Sequence, residues 1–320
     1  MRALILAAGL GTRLRPLTHI RAKAALPVNG EPLVGRIARG LAAQGFTDLV
    51  VNLHHCPATI ARRLGDGSDL GLRLRYSWEQ PVLGSAGGPR HALPLLVDGD
   101  DDPRARFLVM NGDTLTDLDI RALVRAHARS GKAAVTMALI PNPRPDKYGG
   151  VQIDGDRVVG FVRAGSTRQS HHFIGVQVAE ARAFAALPDG MPMESVNQVY
   201  PRLMAEDPDA VGAFVSDATF QDIGTPADYL RTCLELAAVE GNRLLDGERV
   251  QIDRSATISE SVVWDDVSVG PEVRLDESIV CDGARIPRGA RYARCAILPA
   301  ADERPAAGGR VEGGLLITPF

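Results

Sequence analysis

The sequence holds only four cysteines, Cys56, Cys233, Cys281 and Cys295, and no C-x-x-C pair. This scatter excludes a disulfide framework and a cysteine-based zinc site, and it suits reduced thiols. Positive charge is not in excess, since 36 Lys and Arg stand against 39 Asp and Glu for a net charge of −3. A general binder of nucleic acid or of anionic membranes is thereby disfavoured. No apolar run approaches the roughly 20 residues of a membrane span. The opening apolar run is too short for a signal peptide, and Arg13 and Arg15 break it. A cytoplasmic protein is expected. No Ser-His-Asp or Cys-His pattern argues for a covalent nucleophile. The adjacent His54, His55 and Cys56 lack a spaced fourth ligand and read as a strand end above a loop.

What is present begins at the N-terminus. Residues 2–7 read as a short buried strand of a sheet covered on both faces. The strand runs into Leu6-Ala7-Ala8-Gly9-Leu10-Gly11-Thr12-Arg13-Leu14-Arg15-Pro16-Leu17-Thr18. Gly9 and Gly11 let the main chain approach a ligand, and successive N–H groups form an anion-binding nest. Arg13, Arg15, Arg21 and Lys23 place four cations beside it. A dinucleotide fingerprint fails at Leu14 and Pro16, and a Walker A loop fails for want of Gly-Lys-Ser/Thr.

Further along, helices are expected over 32–44, 59–64, 89–95, 119–130, 193–205 and 226–239. Strands are expected over 48–53, 72–78, 107–113, 133–140, 147–154, 158–163, 173–178 and 211–215. Glu79 and Gln80 precede the small-residue loop Gly84-Ser85-Ala86-Gly87-Gly88, a place for a flat base to lie against backbone. Asn111-Gly112-Asp113 ends a buried strand, where open α/β sheets bind ligands. Glu194 stands at a helix start, where a first-turn role is the alternative. The tail repeats three times over 249–265, 266–282 and 283–299. Ile252, Val269 and Ile286 align, as do Ile258, Leu275 and Tyr292, and Val263, Val280 and Ile297. Three inward residues per repeat predict a parallel β-helix with three sides per coil. The repeats hold no histidine, so acyl transfer there is disfavoured and a structural or oligomerising role is expected. Residues 300–320 are expected to pack as a final strand or to fray.

The opening string, followed by Lys23 and Leu26-Pro27-Val28, closely resembles the signature of the sugar-1-phosphate nucleotidylyltransferases, and within them the mannose-1-phosphate guanylyltransferases. The stretch from Glu79 to Gly88 resembles that family's base-recognition segment, with Ser85 in place of threonine. Asn111-Gly112-Asp113 and Phe220-Gln221-Asp222-Ile223-Gly224-Thr225-Pro226 resemble its two metal-binding motifs. The resemblance implies an α/β fold with a Rossmann-like mixed, mainly parallel sheet flanked by helices. It also implies a small C-terminal left-handed β-helix of the hexapeptide-repeat kind. It divides the chain into a catalytic domain over 1–241 and a β-helix domain over 242–320.

The reaction implied joins an NTP to a sugar 1-phosphate, releasing pyrophosphate. Arg13, Lys23, Asp113 and Asp222 are the expected catalytic residues, and the two aspartates are the expected ligands of Mg²⁺. Leu6, Ala8, Gly9, Gly11, Thr12, Arg13, Glu79, Gln80, Gly84, Ser85, Asn111 and Gly112 are the expected nucleotide contacts. Gly149, Gly150, Arg163, Gly175 and Glu194 are the expected sugar contacts. One departure stands out: the family's Glu-Lys-Pro is Arg163-Ala164-Gly165 here, so Ala164 replaces the lysine that holds the sugar phosphate, and Arg163, Lys147 or Arg168 is left to supply the charge. The best reading pairs GTP with mannose 1-phosphate. The alternatives are a uridylyltransferase acting on N-acetylmuramate 1-phosphate, cytidylyl transfer to a phospho-alcohol, and a non-catalytic nucleotide-sensing subunit.

Overall fold

A computed structural model describes residues 1–97, 99, 102–300 and 308–320. The chain separates into two compact units. One comprises Met1–Gly9 with Val34–Gln221, the other Leu10–Leu33 with Asp222–Phe320.

The first unit is built on nine strands: β1 (Arg2–Leu6), β2 (Asp48–Leu53), β3 (Arg73–Trp78), β4 (Arg106–Asn111), β5 (Val135–Pro141), β6 (Gly150–Asp154), β7 (Arg157–Val162), β8 (His171–Glu180) and β9 (Val211–Val215). Their order across the sheet is β3-β2-β1-β4-β8-β5-β9-β7-β6. Leu4 pairs with Val50 on one side and Val109 on the other, all in parallel ladders and all essentially buried. A central strand covered on both faces is apolar along its buried stretch, which is why Ala3, Leu4 and Ile5 show no polar alternation, while Arg2 at the strand's start bonds to Asp48. The sheet is less parallel than expected. The block β3-β2-β1-β4 is parallel, but β8 runs antiparallel to both β4 and β5, and β7 runs antiparallel to β9 and β6. Hydrophobic pattern along a strand carries no sign of its direction, so the sequence left this open.

Helices cover the sheet at the expected places. In α1 (Leu33–Ala43), Leu33, Ile37 and Leu41 share the buried face. Gly45 ends the turn at φ 90°, with Gly45 N–H donating to Ala42 O and Phe46 N–H to Leu41 O. This is a Schellman closure, which favours glycine because the angle is left-handed. After α2 (Pro57–Leu64), two helices depart from expectation. Helix α3 spans Gly84–Val97, so it opens five residues before Pro89 and takes up the small-residue stretch as its first turns. The reason is internal packing: a Cβ on Gly87 would meet Met191 O at 2.5 Å, and one on Gly88 would meet Glu79 Oε1 at 2.8 Å. These glycines make room for the protein's own packing. Helix α4 (Ile120–Ser130) begins one residue later than expected, with Asp119 as its cap: Ala122 N–H donates to the Asp119 carboxylate at 2.9 Å.

The expected helix over 193–205 opens as a π-turn, Ser195–Val199, before α5 (Tyr200–Glu206). Pro201 has no N–H for the carbonyl four residues back, and the widened turn accommodates that loss. Val199 N–H instead reaches Glu194 O at 3.2 Å.

In the second unit, α6 (Pro226–Glu240) begins as expected at Thr225, whose hydroxyl accepts from Asp228 N–H at 3.1 Å. Such a cap contributes about 1 kcal/mol. The coils follow. Ile252 pairs with Val269 and Val269 with Ile286; Ile258 with Leu275 and Leu275 with Tyr292; Val263 with Val280 and Val280 with Ile297. All these ladders are parallel, and each of the three aligned columns becomes one side of the coil. Ile252, expected to point inward, is instead 37% exposed on the first coil, while the other eight aligned side chains form a single core joined by Val267, Val273 and Ala284. Glu260, Glu277 and Arg294 sit at equivalent corners with φ of 42°, 41° and 49°. The left-handed angle costs non-glycine residues about 1–2 kcal/mol each, so these corners were not legible as turns. The tail supplies two strands, Arg310–Glu312 and Leu315–Pro319, which extend the third side antiparallel. Residues 301–307 lie outside the described residues.

Candidate functional site

In the first unit the glycine-rich turn leaves β1 at Leu6. Gly112 N–H donates to Leu6 O at 2.8 Å, and a Cβ on Gly112 would meet that oxygen at 2.7 Å. Only glycine lets the end of β4 lie this close to the end of β1, and Asp113 follows at once. Asn52, at the end of β2, locks the other side. Its Oδ1 accepts from Ala7 N–H at 2.5 Å and Ala8 N–H at 3.2 Å. Its Nδ2 donates to Glu79 Oε1 at 2.6 Å, while Leu83 N–H donates to Glu79 Oε2 at 2.8 Å. His54 donates through Nδ1 to Glu79 O at 2.9 Å. Glu79 is therefore turned inward and only 4% exposed, holding the start of the loop before α3, while Gln80 stands exposed. Gly9 projects clear, since a Cβ there would meet nothing within 4 Å.

The expected sugar contacts divide by environment. Gly175 interrupts β8 at φ 77°, where a Cβ would strike Asn111 Nδ2 at 2.4 Å. Gly175 thus seats Asn111, one residue before Gly112. Gly150 is required by Ser170, whose Oγ would lie 2.0 Å from a Cβ. Gly149 and Arg163 are exposed. Lys147 lies over the Tyr148 ring at 5.0 Å, and Tyr148 packs on His172, itself against Phe220. Glu194 does not cap the helix backbone. Its Oε2 accepts from Ser85 Oγ at 2.6 Å, and Ser195 N–H donates to the same hydroxyl at 2.9 Å. Ser85 and Glu194, far apart in sequence, are one hydrogen-bonded group.

In the second unit the signature continues from Leu10. Gly11 takes φ 59°, and Thr18 Oγ1 donates to its carbonyl at 3.0 Å, folding the loop back on itself. A Cβ on Gly11 would meet Thr18 Cγ2 at 2.7 Å and Lys23 Cβ at 3.3 Å. The glycine, the threonine and the lysine of the signature are therefore packed together. Thr12 and Arg13 open a short 3-10 turn on the exposed side. Arg13 Nη1 and Asp222 Oδ2 both flank Gly224, at 3.4 and 3.2 Å from where its Cβ would stand. Arg15 is exposed, but Arg21 is not one of the loop cations. Its guanidinium is buried on Asp282 and Asp265 of the coil. Burial disfavours its charge, but hydrogen bonds and attraction from these two aspartates outweigh that and raise its pKa.

Sequence reasoning missed Asn52, Asp265 and Asp282, and placed Thr18 in the signature without giving it a role. Asn52 had a signal, since it breaks the apolar run from Leu49 to Leu53. The two coil aspartates each end a repeat, a regularity that pointed only to a turn.

This is a mixed α/β sheet with a glycine-bearing turn at the end of its first strand, and its fold is that of a solved protein, HddC of Yersinia pseudotuberculosis. The likeness has a TM-score of 0.62 at 23% identity, over 73% of this chain and 99% of that one. The nucleotidyl transferase family model matches residues 2–238, and the chain belongs to that family. It is similar to a mannose-1-phosphate guanylyltransferase of Mycobacterium tuberculosis, 31% identical over 90% of this chain and 81% of that protein. It is also similar to an N-acetylmuramate alpha-1-phosphate uridylyltransferase of Neisseria meningitidis serogroup B, 36% identical over 64% of this chain and 85% of that protein. The chain is an enzyme, a sugar-1-phosphate nucleotidyltransferase. No helix among the described residues is long and apolar enough to cross a membrane.

Proposed function

We propose that the enzyme joins GTP to mannose 1-phosphate, forming the nucleotide sugar and releasing pyrophosphate. The observation that carries this reading is the packing of Gly11 against Thr18 and Lys23, because it sets a cation beside a turn of backbone N–H groups. Similarity to the mycobacterial guanylyltransferase over most of the chain supports the choice of base and sugar.

The attacking atom is an oxygen of the sugar phosphate, already anionic near neutral pH, so no general base is required. The task of the protein is to bring two anions together in line and to neutralise them. The N–H groups of the Gly9–Thr12 turn, with Arg13 and Lys23, bind the triphosphate and stabilise the departing pyrophosphate. Leu6 and Ala8 shape the turn from its strand side. Gln80 and the start of α3 at Gly84 and Ser85 meet the base, with Glu79 holding their loop. Gly149, Gly150 and Gly175 line the sugar side, Glu194 accepts from a sugar hydroxyl, and Arg163 takes the sugar phosphate in place of the lysine lost at Ala164.

The donor set suits Mg²⁺. Among the described residues no three His, Cys, Asp or Glu side chains converge as a protein cage, and Mg²⁺ is usually held by one or two carboxylates with substrate phosphates. Asp113 and Asp222 would hold it, and it would supply charge neutralisation for the two phosphates. Functionally, the catalytic part spans 1–241 and the coils 242–320. The coils wind left-handed in the hexapeptide-repeat manner, a reading supported by the repeat spacing, and serve structure or self-association.

A second reading is uridylyl transfer to N-acetylmuramate 1-phosphate, favoured by the higher identity to the Neisseria enzyme. Pyrophosphate release from GTP, UTP, dTTP, CTP and ATP against a panel of sugar 1-phosphates separates the two. Release with GTP and mannose 1-phosphate alone is expected. Release confined to UTP with N-acetylmuramate 1-phosphate establishes the second reading, and none with any pair refutes both.

A further inference from the structure

Arg21 lies between Arg13 and Lys23 in the signature, yet it is spent on the coil. Nε donates to Asp282 Oδ2 at 2.7 Å, and Nη2 donates to Asp282 Oδ1 at 2.5 Å and to Asp265 Oδ2 at 2.6 Å. The arginine side chain is only 7% exposed, and the two aspartates 13% and 26%. Asp265 and Asp282 end the first and second repeats, and the third repeat has Pro299 in their place. The two carboxylates are themselves braced, since Asp265 N–H donates to Asp282 Oδ1 and Glu248 N–H to Asp265 Oδ1. The guanidinium also lies 5.2 Å over the ring of Trp264, the most voluminous of the fully buried side chains. Trp264 Nε1 donates to Tyr229 OH at 2.9 Å, and that hydroxyl donates to Pro27 O at 2.5 Å. The stretch from Arg21 to Pro27 is thus held at both ends by one connected network, with Lys23 in its middle and against Gly11.

We infer that the coils are a working part of the nucleotidyl-transfer machinery: the pair of stacked aspartates Asp265 and Asp282 grips Arg21, and Arg21 is a positioning residue that sets Lys23 and the turn at Gly11. The inference rests on the proposed role of Lys23 in binding the triphosphate. A surface ion pair would contribute little to this, because solvent screens it and its side chains stay mobile. A buried guanidinium with three charge-assisted hydrogen bonds has one allowed position, and it passes that position to the backbone two residues before Lys23. Misplacing such a group by about 1 Å costs on the order of 100-fold in rate.

The test uses the full chain with GTP and mannose 1-phosphate, and in parallel UTP with N-acetylmuramate 1-phosphate. Arg21→Gln, Arg21→Lys, Asp282→Asn, the double variant Arg21→Gln with Asp282→Asn, and Lys23→Met are compared. Each is assayed well below its own melting temperature, so that every molecule counted is folded. Arg21→Gln should lose about 100-fold in kcat/KM. Arg21→Lys keeps the charge but not the fork, and should fall between. The double variant should be no worse than the worse single one, because both remove the same grip. Asp282 is partly exposed, so Asp282→Asn carries the test if Arg21→Gln does not fold. Wild-type kcat and KM in folded Arg21→Gln and Asp282→Asn, with only a lower melting temperature, would make the network a structural clamp and overturn the inference. Wild-type turnover in Lys23→Met would instead remove the site reading on which it rests.

Discussion

Asn52 and Glu79 meet at 2.6 Å beneath the glycine-rich turn, the amide donating and the carboxylate accepting. Through this contact the end of β2 holds two things at once: the Ala7 and Ala8 N–H groups on one side and the loop before α3 on the other. Replacing Asn52 by leucine leaves buried N–H groups and one carboxylate oxygen without their partner. Such an orphaned group costs about 1–3 kcal/mol. Asn52→Leu should therefore lower stability to urea by that order and weaken GTP binding measured by calorimetry. An Asn52→Leu protein as stable as wild type would show that water or a shifted side chain replaces these bonds.

Gly175 and Asn111 form a second such contact, across β8 and β4. Alanine at 175 would need a left-handed backbone angle and would drive its Cβ into the Asn111 amide. Strain of this kind costs about 1–3 kcal/mol. Gly175→Ala should melt at a lower temperature, and kcat should fall as well because Asn111 adjoins Gly112 and Asp113. A change in melting temperature alone would confine Gly175 to the fold.

Asp113 and Asp222 carry the proposed metal role. Asp113→Asn and Asp222→Asn should each cut pyrophosphate release by about 100-fold or more, a loss of charge stabilisation at the reacting phosphates. Nucleotide binding, followed as a GTP-dependent rise in melting temperature, should change far less. Equal losses in both measurements would count against the assignment.

His127 makes the fold sensitive to mild acid. Its side chain is buried, with Nδ1 bonded to Thr136 Oγ1 at 2.8 Å. Burial first, then the charges of Arg106 and Arg182, lowers its pKa from 6.5 to about 4. The unfolded chain takes up a proton below pH 6.5 that the folded chain refuses until about pH 4. This contribution to stability is complete above pH 6.5 and is lost as pH falls toward 4, by up to roughly 3 kcal/mol. Urea unfolding of wild type and His127→Gln between pH 7 and pH 4 should converge as pH falls. Parallel curves would mean that Glu180, whose Oε1 lies 3.8 Å from Nε2, stabilises the protonated ring.

Much of this molecule was legible in one dimension. The strand at residues 2–6 announced itself by the unbroken apolar run from Ala3 to Ala7, and the helix ends at Gly45 and Thr225 follow rules that act within one turn of chain. The three aligned columns of the tail were readable because stacking coils repeats one environment every 17 residues, as the Ser261–Ser278 and Asp265–Asp282 hydrogen bonds also do. The family signature was legible for the same local reason, since a tight turn with fixed backbone angles constrains consecutive residues. The direction of β8, the early start of α3 and the left-handed corners at Glu260, Glu277 and Arg294 were not. Each depends on what a segment packs against, which its own residues do not encode.

The sequence by itself determined the order of strands and helices, the glycine-rich turn, the coil repeat and the family. It did so because these arise from local backbone preference and from the spacing of apolar residues. Tertiary structure alone decided what the polar residues are for. Arg21 looks like a phosphate-binding cation until Asp265 and Asp282, more than 240 residues away, are seen to hold it. Glu79 looks like a base reader until Asn52 and Leu83 take both its oxygens. A charge or a hydrogen-bonding group is defined by its partner, and the partner is chosen by the fold.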